Sequence, residues 1–213
     1  MTDAHPEQPV LASARLRLRP FVPGDAPGLA RLCADRAVAE TTLRIPHPYT
    51  LDHAEAFLAS LPEAWAAGQE AVFAQTLRDG GDLVGAIGLK LEPEHLRAEL
   101  GYWVGVPYWG RGYATEAVRA VAGWAFLDLG LGRLYAHVMG GNAASERVLL
   151  KAGFSREGLL RRHVRRWGRT VDCPLFGLLK DEFGRAAPHP TSEQREEASP
   201  AARLQNPKLD YDD

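Results

Sequence analysis

The sequence predicts a single α/β domain in which a meander of antiparallel strands alternates with helices. Three observations predict it. Of 213 residues, 46% are hydrophobic and 24% charged, which suits one domain with a substantial core. From Ala14 to Phe183 strand-like and helix-like segments alternate, and between the strands lie both tight glycine turns, which join antiparallel neighbours, and long helical stretches. Residues 184–213 are rich in Pro, Ala, Ser and charge without apolar periodicity, so the domain is expected over 14–183, with a flexible N-terminus over 1–13 and a disordered tail over 184–213.

The elements follow in order. Arg15-Leu16-Arg17-Leu18-Arg19 alternates polar and apolar residues as a half-buried strand does, and Pro20 closes it. Asp25 is placed to cap a helix through Leu29, Leu32 and Cys33, and a second helix is expected from Thr50 to Asp52 onward, carrying Ala56, Phe57 and Leu61. Between them, the prolines of Thr41 to Tyr49 forbid a continuous helix and leave a loop suited to roofing a pocket. Ala71 to Leu77 and Leu83 to Leu91 read as strands joined by the hairpin turn Arg78-Asp79-Gly80-Gly81-Asp82. Arg97 to Val104 is the third member of this meander. Gly105 to Gly112 then turns the chain into a helix from Tyr113 to Asp128, ended by Gly130 and Gly132. Leu134 to Met139 reads as a strand, Asn142 to Lys151 as a helix stopped by Gly153, and Phe154 to Trp167 with Arg169 to Leu179 as a hairpin turned at Gly168.

Composition narrows the function. The formal net charge of -2 offers no general field for nucleic acid or an acidic membrane. Cys33 and Cys173 are the only cysteines and are far apart, so neither a disulfide framework nor a zinc site is expected. No basic leader opens the chain and no stretch approaches the ~20 apolar residues of a membrane span. A cytoplasmic protein without a metal is the expectation.

The segment that carries chemistry is Tyr108-Trp109-Gly110-Arg111-Gly112-Tyr113-Ala114-Thr115, where a strand leads into a glycine-bearing turn and a helix start. The first amides of a helix lack internal acceptors and sit at the positive end of its dipole, so a pyrophosphate is favoured there. Taken alone, two glycines fit a plain turn equally well. A dinucleotide fingerprint would need a third glycine, where Thr115 stands, and a P-loop would need a closing Gly-Lys-Ser/Thr, which is absent.

In order, Arg15 to Pro20, Pro48-Tyr49-Thr50, Glu99 to Val104, Tyr108 to Ala117 and Asn142 to Phe154 resemble the GNAT superfamily of N-acetyltransferases, in particular its RimJ/RimL-type branch. The resemblance covers nearly all of Arg15 to Leu179. It implies a mixed, largely antiparallel sheet flanked by helices and splayed in the middle around acetyl-CoA, with the pantetheine arm between the Glu99 and His137 strands. It implies that the backbone of Gly110, Arg111, Gly112, Tyr113, Ala114 and Thr115 binds the pyrophosphate. Trp109 departs from the Gln or Arg usual at the head of that motif. Trp103 and Val104 are implied to offer backbone groups to pantetheine or the acetyl carbonyl, and Asn142 to bind the pantetheine arm; Asn142 equally suits the N-cap of its helix.

Amine acetylation needs a neutral nucleophile, an oxyanion donor and a proton for the thiolate. By resemblance Glu99 is the first candidate base, with pairing to Arg97 as the plainer alternative. His137 is the second, with a purely structural role beside it. The proton-donating tyrosine of many relatives is replaced by Leu149, and the RimJ/RimL-type pattern offers Ser145 instead, unless that residue is merely exposed in the first helical turn. Neither cysteine fits a covalent intermediate, so direct attack on acetyl-CoA is expected. Arg156, Arg161, Arg162, Arg165, Arg166 and Arg169 form a basic hairpin, read as a solvated face or as an attractor of acidic partners. The acceptor expected is a protein N-terminal α-amine. A small amine (amino acid, polyamine or antibiotic) and a non-catalytic acyl-CoA sensor are the alternatives, in a monomer or homodimer.

Overall fold

The computed structural model describes residues 7–183, so the expected tail over 184–213 lies outside the described residues. The strands are β1 (Leu11–Ala12), β2 (Leu16–Pro20), β3 (Glu70–Leu77), β4 (Leu83–Glu92), β5 (Arg97–Val104), β6 (Arg133–His137), β7 (Ser155–Arg166) and β8 (Arg169–Leu179). They form one sheet in the order β1-β2-β3-β4-β5-β6-β8-β7. Every adjacent pair is antiparallel except β5 and β6. The helices are α1 (Ala26–Cys33), α2 (Arg36–Glu40), α3 (Leu51–Ala66), α4 (Tyr113–Leu127), α5 (Ala143–Ala152) and α6 (Lys180–Phe183). Parallel neighbours need a crossover, and α4 supplies it between β5 and β6.

Strand alternation sorts the core into two layers. Leu16 and Leu18 of β2, Ala71 and Phe73 of β3, and Ala98 and Leu100 of β5 pack with Val118, Val121, Trp124 and Phe126 of α4. Ala74, on the opposite face of β3, packs with Leu29, Leu32 and Cys33 of α1 and Ala54 of α3. Phe73 stands edge-on to Trp124 at 5.3 Å between ring centroids, fixing α4 against the sheet.

Three expectations are corrected. Leu11 and Ala12 are not part of a free N-terminus: they pair with Leu18 and Arg17 and give the sheet a two-residue edge strand, too short to leave a sequence period. Asp25 does not cap α1, because its carboxylate is taken by Arg19 (2.7 Å on each oxygen) and the Val22 amide. The strand expected to run to Met139 ends at His137, where its ladder with β8 ends at Leu175. Elsewhere Thr50 caps α3 as the sequence implies, and the segment before the Thr41 to Tyr49 loop adds the short helix α2.

Candidate active site

β5 and β6 are in register for only three residue pairs, Arg97–Arg133, Ala98–Leu134 and Glu99–Tyr135. Beyond them β5 continues to Val104 against β4 alone, and β6 reaches His137 against β8 alone. The sheet therefore opens into a wedge, and a cleft of about 1070 Å³ runs through it from the Gly110–Thr115 turn to the Thr41–Pro46 loop.

At one end, Gly110 and Gly112 adopt φ of +73° and +82°, a left-handed conformation that side chains disfavour. Gly112 is the N-cap of α4 and has no side chain to cap it. The first intrahelical bond runs from the Glu116 amide to the Gly112 carbonyl, so the amides of Tyr113, Ala114 and Thr115 lack helical acceptors. Those residues line the cleft. Arg111 points elsewhere: its guanidinium lies 5.9 Å from the Tyr108 ring centre and its carbonyl accepts from Arg15. Arg15 also binds Glu116, which takes further bonds from the Arg15 amide and the Ser13 hydroxyl. Burial alone would raise the Glu116 carboxyl, but these three donors hold it below its ordinary range.

Trp109 is half exposed, and its indole donates to the Val104 carbonyl at 2.6 Å. The residue that departs from the motif thus pins the end of β5 to the turn. The Trp103 carbonyl receives a longer contact of 3.4 Å from the buried Gln75 amide.

Midway along the cleft the candidate bases meet. Glu99 Oε1 lies 2.8 Å from His137 Nδ1. Arg97 is not Glu99's partner; it pairs with Glu92 at 2.8 Å. Glu92 is held below the ordinary carboxylate range, first by the Tyr135 hydroxyl and then by Arg97. The His137 ring sits between Tyr135 and His163, with ring centroids at 5.5 and 4.9 Å. His163 carried no sequence signal. It lines the cleft because an irregularity between Leu160 and Val164, with Arg162 at φ +51°, re-aims β7.

On the other face of β5, Tyr102 meets α5. Its hydroxyl is 2.8 Å from Ser145 Oγ and also donates to the Ser145 carbonyl. Burial pushes the Tyr102 phenol well above its ordinary range, and the Ser145 bond only partly offsets this. Tyr102 was legible as part of the Glu99 to Val104 segment but not as Ser145's partner. Asn142 does cap α5, accepting from the Ser145 amide at 3.1 Å, which leaves its side-chain amide as a free donor type on the cleft wall. Leu149 is buried beneath. Among the described residues no group of three His, Cys, Asp or Glu side chains is gathered as a metal ion would need, and no helix is long and apolar enough to cross a membrane.

With this geometry in place, comparison with known proteins is decisive: residues 15–155 match the model of the acetyltransferase (GNAT) domain. The chain belongs to the GNAT acetyltransferase family. The uncharacterized N-acetyltransferase p20 of Bacillus licheniformis is 32% identical, over 81% of this chain and 97% of its own. Among solved GNAT structures, an acetyltransferase from Bacillus anthracis superposes with a TM-score of 0.72 at 25% identity, covering 81% of this chain and 99% of that one. RimL, the ribosomal L7/L12 alpha-N-protein acetyltransferase solved with coenzyme A, shares the fold at a TM-score of 0.74 and 18% identity, over 80% and 97% of the two chains. A spermidine N-acetyltransferase SpeG chimera from Vibrio cholerae and hSSAT does so at 0.68 and 22%, over 80% and 98%. The splayed mixed sheet is thus the GNAT fold, and the protein is an N-acetyltransferase that uses acetyl-CoA.

Proposed function

We propose that this GNAT enzyme acetylates a protein N-terminal α-amine by direct attack on acetyl-CoA, with Glu99 and His137 acting together as the base. The observation that carries this reading is the 2.8 Å Glu99–His137 contact inside the wedge. RimL is a ribosomal L7/L12 alpha-N-protein acetyltransferase, and the shared fold supports that acceptor class.

The residues present fit the donor. The open amides of Tyr113 to Thr115, reached over Gly110 and Gly112, form a cradle for pyrophosphate. The Asn142 side-chain amide and the unpaired edges of the β5–β6 wedge offer partners to the amide groups of pantetheine. Trp109 holds Val104 in place, and the amides around Val104 serve the developing oxyanion.

The chemistry then follows from which face each pair occupies. Glu99 and His137 share the face of Trp103, while Tyr102 and Ser145 stand on the α4–α5 face. When Nδ1–H of His137 donates to Glu99, Nε2 keeps a lone pair and accepts the amine's proton. The amine nitrogen bonds to the thioester carbonyl carbon, the C–S bond breaks, and the departing thiolate accepts a hydrogen bond from Ser145, held by Tyr102 on the opposite face, before it takes a proton from solvent. A high-lying Tyr102 phenol stays neutral and acts by orienting the serine hydroxyl. Cys33 and Cys173 are both buried; desolvation pushes the Cys33 thiol up to about 12 and also raises that of Cys173, with Asp172 adding to it, which disfavours a thiolate for a covalent route.

The test is CoA release by purified protein with acetyl-CoA and a panel of N-terminal peptides and small amines. Turnover with peptides is expected. Tight CoA binding with no turnover on any acceptor overturns the catalytic reading.

A further inference from the structure

The end of the cleft away from the phosphate turn has a chemistry of its own. Leu29, Cys33, Ile45, Tyr49, Phe57 and Trp103 line it, and all belong to or pack on the second core cluster between α1, α3 and the sheet. The cleft wall here is therefore an uncovered side of a hydrophobic core. Glu70 and Glu99 are the only carboxylates among the described residues lining the whole cleft, and both are matched by cations or hydrogen bonds. Glu70 pairs with Arg44 at 3.0 Å and Glu99 with His137, while the strand register sets Lys90 opposite both acids. A di- or polycationic acceptor would find no carboxylate to spare for its second charge, and burying an unpaired ammonium is costly.

One residue ties the roof of this chamber to the β7–β8 hairpin. Arg166, at the tip of the β7–β8 hairpin, donates to the carbonyls of Ala39 (3.1 Å), Leu43 (3.0 Å) and Ile45, and its guanidinium stacks on Trp167 at 4.7 Å. Two carbonyls of the roof loop and one from α2 converge on one planar fork, a geometry the single ammonium of lysine does not reproduce.

We propose, building on the acetyltransferase reading above, that the acceptor is a monoamine whose amine-bearing carbon continues into an apolar or aromatic group, received in this chamber, and that Arg166 is the positioning residue that sets the chamber's roof. A peptide with an apolar first side chain and a free arylalkylamine carry the same chemistry, and they are separated by assay.

The acceptors compared are matched peptides beginning with Leu, Phe or Ser, together with phenethylamine, ethanolamine and spermidine. The expected kcat/KM is about tenfold or more higher for the apolar member of each matched set. A clear preference for Leu- and Phe-peptides over phenethylamine names the peptide as the source, and the reverse names the small amine; both support the chamber. Equal or better turnover of the Ser-peptide or spermidine overturns it. If nothing is acetylated, calorimetric titration of the CoA-saturated protein decides. Phenethylamine binding at least about tenfold tighter than spermidine sustains the chamber while the acceptor reading fails, and equal binding sinks both. For Arg166→Ala and Arg166→Lys, faster hydrogen exchange over residues 41–46 and a raised KM for the acceptor are expected, with an unchanged Kd for acetyl-CoA. Unchanged exchange, or a loss of acetyl-CoA affinity equal to that for acceptor, rules out the positioning role.

Discussion

Glu99→Gln tests the mechanism most directly, because glutamine keeps the shape of the side chain while removing its charge. At 2.8 Å from His137 Nδ1, and with both side chains more than two-thirds shielded, the carboxylate makes a charge-assisted bond. Its neutral replacement is weaker by roughly 1–2 kcal/mol. The catalytic consequence is larger. The glutamine amide can donate to Nδ1, which places the ring proton on Nε2 and removes the lone pair facing the amine. Loss of a general base costs 10²–10⁴-fold, so kcat/KM at pH 7 should fall about 100-fold, equivalent to about 2.7 kcal/mol of barrier. An α-amine titrates near pH 8, so the deficit should shrink at about pH 9 and above, where the nucleophile is already neutral. Initial rates of CoA release from pH 6 to 10 measure this, with the acetyl-CoA Kd as control. His137→Gln should show the same pH-dependent deficit, and the double variant should be no worse than either single one. A rate profile parallel to that of the wild type, or additive single losses, would refute a base that works as a unit.

Three other outcomes follow from the same geometry. Leu149→Ala empties a fully buried site beneath α5 and should lower unfolding stability by about 2–5 kcal/mol in urea melts. Glu116 is held below its ordinary value of 4.5, so its contribution is complete above that value and is lost as pH falls through the depressed folded one. Glu116→Gln should therefore cost about 1 kcal/mol near neutrality, with Arg15 being half exposed, and the gap should close on acidification; a constant gap in melts from pH 7 to 3 contradicts it. Cys33, pushed up to about 12, should resist iodoacetamide at pH 8 in the native protein and react on unfolding, as read by mass spectrometry.

The contrast between what the chain announces and what only packing creates is clear residue by residue. Gly80 and Gly81, both at positive φ, mark the β3–β4 turn in the sequence because few other residues tolerate that backbone. Gly110 and Gly112 mark the turn before α4 for the same reason. Local composition also placed Thr50 and Asn142 at their helix starts. The pairings within the site escaped because each depends on register between distant segments. Glu99 and His137 meet through three parallel pairs 36 residues apart in the chain, whereas the nearer Arg97 turns to Glu92. Tyr102 finds Ser145 across the sheet–helix interface, and His163 is aimed by an irregular stretch of β7 that no periodicity encodes. Arg166 looked like one of several solvated arginines on the hairpin. Its contacts with α2 and the loop after it, more than a hundred residues earlier, set it apart from the others.

The short β5–β6 register also bears on how the chain folds. β3, β4 and β5 are joined by short turns, as are β7 and β8, so each group can form early from contacts close in sequence. The three residue pairs between β5 and β6 must wait for α4 to carry the chain across. They are expected to form late, and conservative substitutions there should change the unfolding rate more than the folding rate. The boundary between two folding units would then be the same line along which the native sheet stays open.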